Sequence, residues 1–262
     1  MERGAVAWVN SVLGGTRVSA RTQSFALLER ADMTRPKRLR PFLLMLAAAL
    51  VVGACYPLDY MPGTPRPTWC DPTDTAVNDG HTTSFYAFYT TPKAPLSQTD
   101  CQAVVGYLNQ AAAYAAQFPT VASVEAAGWI QATVWTPGQG IHFVDPTRLA
   151  GPFDPTRPNW LLYNGTSDSA NLVGMMFLVE SGVSPPAGFP GANDQWHNHD
   201  KLCYDADAIP FIIGEHFSDS FCAAVGGVNT DYSGQWMVHA WLPVYAGWQA
   251  TDIFNKSHAN IS

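Results

Sequence analysis

The sequence predicts an α+β fold, with N-terminal helices followed by a mainly antiparallel β-sheet. Three observations predict it. An Ala-rich stretch, Cys101 to Phe118, stops at Pro119. Six short runs rich in β-branched and aromatic residues follow it. Loops dense in Pro and Gly separate those runs, and 21 Gly with 20 Pro in 262 residues favour turns and short elements over long helices. Helices first and strands afterwards, without alternation, is the α+β order.

The elements follow in sequence. Ser97-Gln98-Thr99-Asp100 has the Ser-x-x-acid form of a helix start. Ala is the best helix former, so a helix of about five turns is expected over 101–118. A shorter helix is expected over 121–127, closed by Gly128. Strand candidates are 129–135, 140–145, 159–163, 172–180, 195–199 and 235–242. Loops are expected over 145–158 and 181–194. A last short helix is expected over 218–224, stopped by Gly226-Gly227.

Four sections of chain are expected. Arg35-Pro36-Lys37-Arg38-Leu39-Arg40 is basic, and 13 uncharged, mostly apolar residues, Phe42 to Ala54, follow it. Thirteen residues fall short of the roughly 20 that span a bilayer. A basic flank, a short apolar stretch and small residues at its end make an export signal. Val52-Gly53-Ala54-Cys55 looks like a bacterial lipobox, which makes Cys55 the lipidation site. Signal 33–54 opens on Met33-Thr34-Arg35, so 1–32 is expected to be an over-extended, unstructured start. Prolines at 57, 62, 65 and 67 make 55–72 a semi-rigid tether. Residues 73–262 are expected to form one globular domain.

Cys55 apart, four cysteines remain, and four allow three pairings. Export favours disulfides. Cys70–Cys101 and Cys203–Cys222 are the preferred pairs, since each closes a local loop. The rival reading makes Cys203 a metal ligand, four residues after His199.

Seven histidines are available. In a strand, residues i and i+2 share a face, so His197 and His199 can aim two imidazoles at one point. His142 and His239 sit centrally in apolar runs, where a neutral or metal-bound ring is tolerated and a charged one is not. His142, His197, His199 and His239 are therefore the candidate metal ligands. Glu180, Asp200 and Glu215 are candidate carboxylate ligands or outer partners. His81, His216 and His258 read as surface or loop residues. Imidazole-rich sites suit zinc or copper, and with a carboxylate also iron or manganese.

Several of these segments resemble an uncharacterised family of exported bacterial proteins. They include Gly140-Ile141-His142-Phe143, His197-Asn198-His199-Asp200-Lys201-Leu202-Cys203 and His239-Ala240-Trp241-Leu242. The resemblance spans about residues 98–258 and implies that these histidines matter; it implies no reaction. Gly191, five residues and then His197-x-His199 is also similar to the first half of the cupin metal motif, which implies a cupin-like barrel. The carboxylate that motif places after three or four intervening residues beyond its second His is absent, since the chain there has Cys203 and Tyr204.

Charge limits the partners. The chain carries 14 Lys and Arg against 21 Asp and Glu, a formal −7. Residues 1–54 hold eight of those cations and three of the acids, so the exported part keeps six cations against 18 acids, a formal −12. Nucleic acid is an unfavourable partner for such a surface. The partners expected are the membrane, through the lipid anchor, and a metal ion or small molecule. Absence of a Gly-x-Ser-x-Gly elbow and of a Gly-rich phosphate loop after a strand argues against a serine hydrolase and a nucleotide enzyme.

Overall fold

The computed structural model describes residues 66–72, 93–208, 210–242, 253, 254, 258 and 261. These belong to one compact unit, Val51–Ser262. The expected leader, Cys55 and His81 lie outside the described residues, as does most of the expected tether.

Among the described residues a 3-10 turn, Thr68–Cys70, precedes helix α1, Gln98–Ala115. Ser97 caps α1, its Oγ accepting the Asp100 N–H at 3.0 Å. Cys101, Val104, Val105, Leu108, Ala111, Ala112 and Ala115 are buried at helical spacing, so one stripe faces the core. The helix starts three residues before the expected 101 and ends three before 118. Phe118 already belongs to a turn, its N–H donating to Ala115 O at 2.9 Å. Helix α2, Val121–Ala126, is capped by Thr120, whose side chain accepts the Ser123 N–H while Ser123 Oγ accepts the Thr120 N–H. Gly128, at φ 85°, ends that turn in the left-handed region.

Among the described residues seven strands follow: β1 Ile130–Gln131, β2 Ile141–Val144, β3 Trp160–Tyr163, β4 Leu172–Glu180, β5 His197–Asp205, β6 Ile212–Glu215 and β7 Gly227–Trp241. Helix α3, Asp219–Ala224, lies between β6 and β7. The sheet order is β1-β2-β3-β4-β7-β5-β6, and every neighbouring pair is antiparallel.

The sheet curls until its two edges meet. Just past β1 the backbone turns from β2 to β6. Ala132 N–H donates to His142 O at 2.8 Å, while Ala132 O accepts the Ile212 N–H at 2.7 Å and Val134 N–H donates to Ile212 O at 3.1 Å. Only two residues of the expected strand 129–135 are regular, because the stretch divides its hydrogen bonds between two partners.

Strands β2 and β3, and β4 up to its last residue, are buried throughout. Alternation therefore sends one set of side chains to each of two apolar clusters. Ile141, Phe143, Leu161, Tyr163, Phe177, Val238 and Ala240 join the buried stripe of α1. Val144, Trp160, Leu162, Met176, Leu178, Met237 and Trp241 form the other cluster. His142 alternates with Ile141 and Phe143, and His239 with Val238 and Ala240, so both rings belong to the second face.

Two disulfides, Cys70–Cys101 and Cys203–Cys222, close loops of sequence separation 31 and 19. The bond to Cys222 removes Cys203 from the candidate metal ligands. Gly227 must be glycine because a Cβ there would press on the sulfurs of Cys203 and Cys222.

Candidate metal centre

The second face carries a run of imidazoles. His142 and His239 are buried, and their Nε2 atoms are 3.4 Å apart. The His239 ring centroid lies 5.4 Å from that of His197, which lies 5.5 Å from that of His199. His199 and His216 follow at 6.4 Å. The four expected ligands follow one another ring to ring, but among the described residues only His199 of the four belongs to a group of three or more donor atoms close enough to hold a metal ion.

Each position has a local cause. His142 sits in β2 opposite Leu162 of β3. Its backbone N–H donates to Thr133 Oγ1 at 2.9 Å, and its Nδ1 is 3.2 Å from the same hydroxyl. His239 sits in β7 opposite Met176 of β4. His197 and His199 lie opposite Met237 and Tyr232 of β7, with register irregularities on either side of His199.

Burial, and then the imidazole of His239, lower the His142 pKa to about 3; the carboxylate of Glu215 acts in the opposite direction. His142 is therefore neutral at physiological pH, and a neutral imidazole is the ligating form.

The donor atoms of His199, Glu215 and His216 all lie within 4.8 Å of one another and can hold a metal ion. His199 Nδ1 is 3.8 Å from Glu215 Oε2, and His216 Nε2 is also 3.8 Å from it. Two imidazoles and a carboxylate are a recurrent donor set for divalent transition metals. A cavity of about 270 Å³ opens beside this group, with His142, Trp160, Met176, His199, Glu215 and His239 on its wall.

His216 lies in the loop directly after β6, as expected of a surface or loop residue, but the sequence reading did not count it among the candidate ligands. Its side chain is only 24 % exposed and points to Glu215. Among the described residues it alone is a non-glycine with positive φ, at 59°. Such backbone is costly for an L-residue and gathers at functional sites. The adjacent pair Glu215-His216 after Ile212-Ile213 was the only signal for it in the sequence. His258, expected as a surface or loop residue, lies outside helix and strand and is part-buried against the Trp241 ring at 5.7 Å.

Fold and site together define a disulfide-bonded protein with a curled antiparallel sheet and a His/Glu group able to hold a metal ion. No family model matches the chain, and neither a curated protein nor a solved structure matches it. Disulfides are typical of extracytoplasmic proteins. Among the described residues no helix is long and apolar enough to cross a membrane.

Proposed function

We propose that the chain is an exported, lipid-anchored bacterial protein whose curled sheet binds a divalent transition metal. The observation that carries this reading is the grouping of the His199, Glu215 and His216 donor atoms within 4.8 Å. Three protein ligands leave a coordination position open. The adjoining cavity supplies room there for water or a small molecule. A carboxylate beside two imidazoles brings iron and manganese into range alongside zinc and copper. When bound, such an ion supplies Lewis acidity at the cavity wall.

Support for export and anchoring is the basic and apolar leader, the Ala54-Cys55 junction and the two disulfides. The similarity to the cupin motif extends to inward-facing histidines on an antiparallel sheet and stops there. Cys203, which stands where that motif expects its carboxylate, is bonded to Cys222.

The test is metal analysis of protein purified without a histidine tag. About one metal or more per chain is expected, and one fewer in His199→Ala and Glu215→Ala. Less than about a tenth of a metal per chain, unchanged by either substitution, ends the proposal. Anchoring is tested separately, by release of Cys55→Ser protein from the membrane fraction.

A further inference from the structure

We infer that the centre is dinuclear, with a second metal ion held between the Nε2 atoms of His142 and His239. The inference rests on the metal-binding reading above and extends it from one ion to two.

The histidines divide by geometry into two sets. His199, Glu215 and His216 converge on one point. His142 and His239 converge on another, at 3.4 Å between Nε2 atoms. Two imidazole nitrogens on one tetrahedral zinc, each about 2.05 Å from it, are about 3.3 Å apart. The observed separation already matches that of a loaded site.

The sheet brings this pair together at some distance in topology. Strands β2 and β7 are separated by β3 and β4. Three interstrand steps in a flat sheet amount to about 14 Å. Only the curl, closed by the bonds between Ala132, Val134 and Ile212, turns the two rings inward until they touch. Thr133 stands on that same closing segment, and its hydroxyl lies 3.2 Å from His142 Nδ1. Metal-ligating histidines characteristically have such an outer contact on the second ring nitrogen. His142, His239, His199 and Glu215 all border one cavity, so both ions would face the same space. Water or a small ligand there would complete their coordination.

The experiment is zinc titration of untagged, metal-stripped protein, read by mass spectrometry and by cadmium-113 NMR after substitution of zinc. Wild type is expected to take two zinc ions per chain and to give two cadmium resonances. His142→Gln and His239→Gln are each expected to take one, and so is His216→Ala. Circular dichroism shows which variants fold, and the two wild-type resonances test the inference without any variant. One zinc and one resonance in wild type, lost in His199→Ala and kept in His142→Gln, would overturn the second ion and leave the first. One zinc lost in both variants would mean a single shared site and would also overturn it. No zinc in wild type would overturn the metal-binding reading itself.

Discussion

Glu215 and His216 are neighbours in sequence whose side chains meet, Oε2 to Nε2, at 3.8 Å. In a regular strand they would point to opposite faces. The left-handed backbone at His216, φ 59°, breaks that alternation where β6 ends. His199, three residues before Leu202 on β5, completes the group: Leu202 pairs with Glu215 of β6, and His199 Nδ1 lies 3.8 Å from Glu215 Oε2.

This strained residue gives a stability test that separates site from fold. His216→Gly and His216→Ala both remove the imidazole and should lose metal equally. They differ in backbone cost, since alanine at positive φ is strained and glycine is not. The glycine variant should be more stable than the alanine variant by about 1 kcal/mol. Urea unfolding of both metal-free variants checks this. Equal stabilities would mean that the turn at 216 relaxes once the imidazole is gone.

The buried His142 makes the metal-free protein acid-sensitive. Its pKa is about 3 in the folded chain against an ordinary 6.5. Between those values the unfolded chain binds a proton that the folded chain refuses. Stability is therefore full above pH 6.5 and falls as pH drops toward 3, by about 1.4 kcal/mol per pH unit. His258, lowered by burial, works in the same direction. Unfolding in chelator at pH 7.5 and pH 5 should show a loss of about 2 kcal/mol from His142 alone. His142→Gln should flatten the dependence, and identical stability of the wild type at both pH values would refute it.

Asn159 stitches the loop before β3 to β4 through the protein interior. Its Nδ2 donates to Leu178 O at 2.8 Å and to Arg148 O at 2.9 Å, and its Oδ1 accepts the Leu178 N–H at 2.9 Å. Asn159→Ala leaves these backbone groups buried without their partner, which costs about 3 kcal/mol. Asn159→Asp keeps the acceptor but turns a buried carboxylate oxygen toward the Leu178 and Arg148 carbonyls, so it should cost at least as much as alanine. A cost below about 1 kcal/mol for the alanine variant, by urea midpoint, would show that water takes over those bonds.

What the sequence made legible follows from where burial is strong. Strand 172–180 was predicted at its observed limits because eight consecutive apolar or small residues have no other use in a two-sided core. The second half of β7 was legible for the same reason. Its first half, Gly227-Val228-Asn229-Thr230-Asp231-Tyr232-Ser233-Gly234, was not. Val228, Thr230 and Tyr232 favour strands, but they alternate with Gly227, Asn229, Asp231, Ser233 and Gly234, and the ribbon is held against β5 by long-range pairing. Strand β6 carries only Ile212 and Ile213 as signal. The site divides along the same line. His142 and His239 stood out because a polar ring in an apolar strand demands a reason. His216 did not, because its role comes from a backbone turn that no local pattern announces.

The disulfide Cys203–Cys222 should support the metal group, and the other disulfide should not. Cys203 lies on β5 opposite Gly214, one residue before Glu215. Cys222 lies on α3, directly after the turn that carries His216 and Ser218. The bridge thus pins both ends of the segment that presents Glu215 and His216. Replacing Cys203 and Cys222 together by Ser should cost about 3 kcal/mol, from the separation of 19 residues. It should also weaken zinc binding by on the order of tenfold, because loosening an outer support costs a metal site about that much. The pair Cys70→Ser and Cys101→Ser, with a separation of 31, should cost a similar amount of stability. That bridge joins the segment before α1 to α1 itself, on the helical side of the core, so zinc affinity should stay at the wild-type value. Isothermal titration with zinc under conditions where both variants are folded distinguishes the two. Equal loss of affinity in both would show that the centre depends on global stability and not on the placement of the 214–222 segment.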